Sequence, residues 1–385
     1  MLPRPRADLA GGMLDRMKID RIELHELPMR LKFRFQTSFG AEQDRRILLA
    51  ILHADGLEGY AECVAGEWPG YASETTDTAW SVLTGVLAPR LVGRSFATPD
   101  ALLYAVRDVR GHDMAVATVE MAFWDLQAKA WGVPLWQALG GRKRPIPVGI
   151  SIGIQESLEA TVDAALRGVA EGYRRVKLKI APGWDVAPVA AVREALPEVP
   201  LTVDANSAYR LADARRLREL DAFGLDYLEQ PLAHDDLIDH AELQRQLATP
   251  ICLDESIHSP QDARKGLQLG AGRILNVKVG RVRGFRQARK VHDVAEAFGA
   301  PVWCGGMLEA GVGRAANLHL STLDGFVLPG DTSSASRYWE RDLIHEPLEA
   351  VDGLQRVPDA GPGLGVTLDR DWIEGRTVRS ETLLP

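Results

Sequence analysis

The sequence predicts an α/β protein, a (β/α)7β-type, TIM-like barrel with an α+β capping domain formed by the N-terminal region and the C-terminal tail. From Pro145 onward, apolar strand-like runs alternate with helical patterns at a pitch of about 25 residues. Before that point strands come first and helices follow, the pattern of a separate α+β unit. No glycine-rich phosphate turn follows the first apolar run, which weakens the case for a doubly wound open sheet.

Composition narrows the function classes. The chain has 385 residues, 46% hydrophobic and 25% charged, an ordinary globular balance. At that length about three quarters of the unfolded surface can be buried, so no disulfide scaffold is needed. The three cysteines, Cys63, Cys252 and Cys304, match no zinc or redox spacing and are expected as reduced thiols of a cytoplasmic protein. No apolar run approaches the ~20 residues of a membrane span. Met1 to Lys18 lacks the apolar core of a secretory signal. A net charge of −8 argues against a nucleic-acid partner. Of 45 basic residues only 9 are lysine, so a lysine inside an apolar strand is not this chain's default cation.

The elements follow in order. Residues 1–16, rich in Pro, Arg and Gly, are expected as a disordered tail, with Met13 or Met17 as alternative starts. The capping domain is expected over 17–144. Its strand-like stretches are 19–35 and 46–63, the second bending at Asp55-Gly56, a turn dipeptide. Its helical stretches are 73–91, 99–107 and 114–131, with Gly132 as a C-cap of the last. The barrel is expected over 145–345, with strands at 148–152, 176–180, 201–206, 227–231, 251–256, 274–280, 302–306 and 326–330. Helical patterns such as 158–172, 211–220 and 285–298 separate them; in the last, Phe285, Ala288, Val291, Val294, Ala295 and Phe298 form one stripe. Residues 346–385 lose the alternation and are expected to return to the capping domain.

Active sites of such barrels lie at the C-terminal ends of the strands. There the second strand carries Lys177 and Lys179, the third Asp204 and Asn206, the fourth Glu229, the fifth Asp254, and the sixth Lys278 with Arg281 beyond it. The acids are 25 and 25 residues apart and Lys278 is 24 beyond Asp254, one βα unit at each step. Lys177 and Lys179, two apart, point to one face. Three carboxylates on neighbouring strands form an oxygen-only site suited to one Mg²⁺ or Mn²⁺ per chain. A divalent ion stabilises the enediolate formed when a carbon acid beside a carboxylate loses its proton. Lysines on either side of the ring would place two amines across the substrate, and a neighbouring cation lowers the cost of losing the ammonium proton. Arg281, if close, would depress the Lys278 pKa in the same way.

One strand-end aspartate is ordinarily a cap or surface residue; three acids at matched spacing, with lysines in apolar strands, are not explained that way. His53, His112, His240 and His319 are assigned to packing or surface, Cys252 and Cys304 to the core, and Trp124 to a helix stripe. Glu255 follows a proposed ligand, so alternation points it away from the site.

At these residues the chain resembles the muconate-lactonising-enzyme subgroup of the enolase superfamily. The Lys-x-Lys pair, the acids Asp204, Glu229 and Asp254, and Lys278 meet that subgroup's motif. "AFWDLQAKAWGVPLWQALGG" resembles the end of its capping domain and "GPGLGVTLD" its C-terminal return. "CGGMLEAGVGRAANLHLSTL" and "LPGDTSSASRYW" resemble N-acylamino acid racemases and o-succinylbenzoate synthases. The resemblance implies Lys179 and Lys278 as the acid/base pair, Lys177 as support for the substrate carboxylate, and Asn206 beside the metal. Ser151, Gly305, Gly306 and Met307 would contact substrate, and the loop Thr37-Ser38-Phe39 would close over it. Mandelate-racemase relatives use a histidine on the seventh strand, where this chain reads Val302-Trp303-Cys304. Dipeptide epimerases hold a free amine with Asp-x-Asp; here Asp331 is followed two places on by Ser333, so an N-acylated substrate is expected. The reactions implied are racemisation of N-acyl (N-succinyl) amino acids and syn-dehydration to o-succinylbenzoate. A muconate-type cycloisomerase and an inactive barrel serving as a binding protein are the alternatives. The expected partner is a small-molecule carboxylate, with no nucleic acid and no membrane, in a homo-oligomer.

Overall fold

The computed structural model of the protein describes residues 16–385, so the expected tail over 1–16 lies almost wholly outside the described residues. The first domain is an antiparallel sheet. β1 (Met17–Gln36) pairs with β2 (Ala41–Ala54), and β2 with β3 (Leu57–Cys63). The second predicted strand is therefore two, parted where expected: Asp55 and Gly56 take φ of 51° and 78°, the two left-handed residues of a tight hairpin. β4 (Ser95–Phe96) adds to the start of β1.

Helices cover one face of this sheet. The helical stretch from Thr76 to Leu91 contains a π turn at Leu83–Leu87. The helix Asp113–Trp131 is buried on every side from Met114 to Gln127, rather than along one stripe. It packs on β2 and β3 and also on a barrel helix, Phe285–Ala297, so two faces need apolar residues. Gly59 makes the first contact feasible: a Cβ there would lie 2.1 Å from the Ala122 carbonyl oxygen.

β5 (Ile146–Pro147) leads into the barrel, whose seven parallel strands are β6 (Ile150–Ile152), β7 (Val176–Lys179), β8 (Leu201–Asp204), β9 (Leu228–Glu229), β10 (Ile251–Leu253), β11 (Ile274–Val277) and β12 (Val302–Cys304). They pair in chain order. The expected eighth strand is reduced to two bridges, Val302 with Phe326 and Val148 with Gly330, which close the ring. Pro329 lacks the amide that a continuous ladder needs. β13 (Leu354–Gln355) pairs with β5, and β14 (Arg379–Leu383) pairs with β1 along Ile22–Glu26. The C-terminal segment thus ends as a strand of the first sheet. Among the described residues no helix is long and apolar enough to cross a membrane.

Candidate active site

Strand register decides which side chains meet. Lys179 pairs with Asp204 and Asp204 with Glu229, while Cys252 is level with Glu229 and Leu275 with Leu253. Asp254 is thus two residues beyond Glu229 in register, and Lys278 two beyond Asp254. Strands in such a barrel are tilted, with a stagger of about one residue per strand, so a four-residue advance over four steps returns Lys278 to the height of Lys179. The two lysines face one another across the mouth.

Each charge is paired. The Lys179 Nζ donates to Asp204 Oδ2 (2.6 Å) and Asn206 Oδ1 (2.8 Å). Lys177 donates to Glu229 Oε2 (3.0 Å) and Asp331 Oδ2 (2.7 Å). Lys278 donates to Asp254 Oδ2 (2.8 Å) and to the Tyr71 hydroxyl (2.9 Å). Arg281 is buried, pairs with Asp254 and donates to Tyr71 (2.8 Å). Burial and the charge of Asp204 push the Glu229 carboxyl up to about 7. Burial leads that rise and the neighbouring Asp204 charge adds to it, and an oxygen-only donor set of three acids fits a divalent cation. The three acids stand with lysines between them, so their oxygens do not form one tight cluster. Among the described residues the compact His/Asp/Glu grouping is instead His292, Asp293 and Glu296 on an outer helix. There the His292 Nε2 already accepts the Gly325 amide (2.9 Å).

Two expectations are corrected. Glu255 is not turned away: its Oε1 accepts from Asn206 Nδ2 at 3.0 Å. Strand alternation ends at Leu253, and residues 254–257 form a turn whose amides at Asp254 and Ser256 are held by Gln230 Oε1. Burial and the charges of Asp254 and Asp204 hold Glu255 well above the carboxylate range. Arg281, for its part, does not leave Lys278 depressed. Burial pulls Lys278 down most, but the charges of Asp254, Tyr71 and Glu255 together outweigh burial and Arg281 and hold the ammonium above the ordinary lysine value.

The remaining expected residues divide. A cavity of about 560 Å³ is lined by Lys179, Lys278, Asn206, Gly306, Met307 and Phe39, among others. Ser38 Oγ donates to the Asn206 carbonyl at 3.2 Å, which ties the β1–β2 loop to the barrel mouth. Ser151 is turned elsewhere: its Oγ donates to Asp331 Oδ1 (3.1 Å). Gly305 makes room, since a Cβ there would lie 2.7 Å from Lys278 Cε.

Two site residues escaped the sequence reading, and a third, Asp331, was read only as one half of an amine anchor. Tyr71 comes from an aperiodic capping-domain loop and carries no signal. Asn276, whose Nδ2 donates to Glu229 Oε1 (2.7 Å), lies two residues before Lys278 and was findable by alternation. Asp331 is held by Arg175 (2.8 Å) and Lys177. Ser333, its neighbour at two places, is spent on the Tyr338 hydroxyl (3.2 Å).

A two-part capping sheet over a parallel barrel whose mouth carries lysine, acid, acid, acid and lysine on successive strands defines the enolase-superfamily architecture. Residues 160–372 match the enolase C-terminal domain-like family and residues 20–140 the mandelate racemase / muconate lactonizing enzyme N-terminal domain. The chain belongs to the mandelate racemase / muconate lactonizing enzyme family. It is 55% identical to an N-succinylamino acid racemase of Thermus thermophilus, over 94% of this chain and 98% of that one. It is 52% identical to an o-succinylbenzoate synthase of Geobacillus kaustophilus, over 94% and 96%. Muconate cycloisomerase 1 of Rhodococcus opacus is more distant, 28% identical over 85% and 90%. Among solved structures, an enolase-superfamily member from Enterococcus faecalis superposes with a TM-score of 0.90 at 41% identity, covering 96% and 100%. A dipeptide epimerase from Cytophaga hutchinsonii, solved with Mg and a dipeptide, superposes at 0.88 and 25% identity, covering 95% and 100%.

Proposed function

We propose that this chain racemises N-acyl amino acids, N-succinyl derivatives foremost, and also dehydrates the precursor of o-succinylbenzoate. The observation that carries the reading is the pair of lysines at one height on opposite walls of a single cavity. A substrate seated between them has one amine on each face of its α-carbon. Lys179 takes the proton from one hand and Lys278 returns one to the other face; the reverse reaction exchanges the roles. For syn-dehydration one lysine serves as base and then acid, and the second contributes positive charge. Lys177, Asn206 and Asp331 hold the ring in place. Met307 and Phe39 bound the substrate, and the β1–β2 loop excludes water. Asp204, Glu229 and Asp254 would hold a divalent ion, Mg²⁺ or Mn²⁺, which supplies charge for the developing enediolate.

An acylated rather than free nitrogen is supported by the fate of the strand-eight residues. Asp331 is consumed by Lys177 and Arg175, and Ser333 by Tyr338, so a free ammonium would find no carboxylate pair. The much lower identity to the muconate cycloisomerase disfavours that alternative. The domain division that accompanies this reading places the cap at 17–144 and 346–385 and the barrel at 145–345.

The test is α-proton exchange in D₂O with each enantiomer of an N-succinyl amino acid, beside the dehydration assay. Lys179→Ala should abolish racemisation and leave exchange of one hand; Lys278→Ala should leave the other. Loss of both exchanges in each variant, or no turnover of any of these substrates by the wild type with Mg²⁺, would refute the reading.

A further inference from the structure

Two fully buried carboxylates of the capping domain do no chemistry in the reading above, yet both are inserted into the barrel. The carboxylate of Glu120, on the helix Asp113–Trp131, accepts the amides of Phe285 (2.8 Å) and Arg286 (2.9 Å), the first residues of the helix that follows Lys278. That of Glu62, on β3, accepts the amides of Ala310 (3.0 Å) and Gly313 (3.1 Å), at the start of the helix Gly311–Leu320 that follows the Gly305–Met307 segment. Neither helix is capped by its own N-cap residue, since those positions are Gly284 and Ala310, and in the second helix Asp342 of the barrel holds only the Gly311 amide (2.7 Å). Both sockets are opened by glycine. A Cβ on Gly284, whose φ is +103°, would lie 2.2 Å from Glu120 Oε2, and one on Gly313 would lie 3.0 Å from Glu62 Oε2.

The chain between Lys278 and the first helix is too short and too tightly bonded to absorb a shift of that helix. Val282 donates to the Lys278 carbonyl (3.1 Å) and Gly284 to that of Val279 (2.8 Å). The cap grips this turn twice more. A Cβ on Gly280 would meet Val64 at 2.4 Å, and Arg283 donates to Asp113 at 2.9 Å. The other lysine is treated differently. The helix that follows Lys179, Val186–Ala195, is capped by its own Asp185 (2.6 Å to the Val186 amide). Among the described residues no hydrogen bond joins a capping-domain carboxylate to that helix.

We infer that Glu120 and Glu62 are positioning residues through which docking of the capping domain sets the two halves of the site separately: Glu120 places Lys278, and Glu62 places the cavity-lining Gly306–Leu308 segment. Lys179 receives no such carboxylate from the cap, because the helix that follows it is capped from within the barrel. A misplacement of about 1 Å can cost up to about a hundredfold in rate, so the asymmetry is measurable. The inference rests on the two-lysine reading, and the experiment separates the two.

Exchange of each enantiomer in D₂O is compared for wild type, Glu120→Gln and Glu62→Gln, with the single-lysine variants defining which hand each lysine serves. Glu120→Gln should slow the Lys278-served hand about tenfold or more and the Lys179-served hand far less. Glu62→Gln should raise KM severalfold and leave the ratio between hands unchanged. A merely stabilising role would slow both hands alike in Glu120→Gln, and that result overturns the inference. Should Glu120→Gln not fold, Trp124→Phe, which removes the indole donor to Glu120 Oε1 (2.9 Å), gives the same readout. A second measurement is independent of substrate. Deuterium uptake at backbone amides should rise at 278–287 in the Glu120 variant and at 305–313 in the Glu62 variant. Uptake that rises everywhere equally, or at neither segment, overturns the inference even if the wild type proves inactive on these substrates.

Discussion

Lowering the pH from 7 toward 4 should destabilise the protein through His319, which is fully buried in the last turn of the Gly311–Leu320 helix. Its Nδ1 accepts the Trp136 amide at 3.0 Å, so the proton sits on Nε2, which donates to the Leu364 carbonyl at 3.0 Å. One ring thereby ties together the segment that joins the two domains, a barrel helix and the C-terminal return. Charging it would bury a cation and set a second N–H against the Trp136 N–H. Burial accordingly holds its pKa down to about 4, against 6.5 when free. Between those values the unfolded chain takes up a proton that the folded chain refuses. The stability from this group is therefore complete above pH 6.5 and is lost as pH falls toward 4. The fall from 6.5 to about 4 corresponds to about 3 kcal/mol for a ring that no solvent screens. Urea unfolding of wild type and His319→Gln across this range should give free energies whose difference changes by up to about 1.4 kcal/mol per pH unit. Other titrating groups cancel in that difference. Parallel curves, or an NMR titration of the His319 ring near 6.5, would refute the reasoning.

Glu229→Gln should keep the fold, because Lys177 retains Asp331, but weaken Mg²⁺ or Mn²⁺ binding about tenfold or more by removing one formal charge; calorimetric titration of the metal checks this. Dialysis against a chelator should abolish turnover and either ion should restore it, and full activity after rigorous removal would contradict the metal site. Shortening the loop at Thr37-Ser38-Phe39 should raise KM and lower kcat, because the Ser38 bond to the Asn206 carbonyl and the Phe39 wall of the cavity are lost together. Unchanged kinetics would make that loop an inert turn.

Much of this protein was legible in the order of its residues. Strand-to-strand pitch, alternation of Lys177 with Lys179, and three acids one βα unit apart are local or periodic properties, and a barrel converts such periodicity directly into a ring of side chains. The Asp55-Gly56 hairpin was readable for a similar reason, since two residues there must take positive φ. Where periodicity lapsed, so did the reading. Glu255 lies past the end of its strand, where a turn held by Gln230 rather than the pleat sets direction. The eighth strand failed at Pro329, which cannot sustain a ladder. The charge state of Lys278 depends on which neighbour wins at a few ångströms, and Asp254 prevailed over Arg281 only once all three were placed. Tyr71, 207 residues before Lys278 in the chain, and the two glycine-lined sockets for Glu62 and Glu120 belong wholly to tertiary structure. They arise where two independently patterned domains meet, and sequence spacing carries no information about an interface whose partners lie hundreds of residues apart.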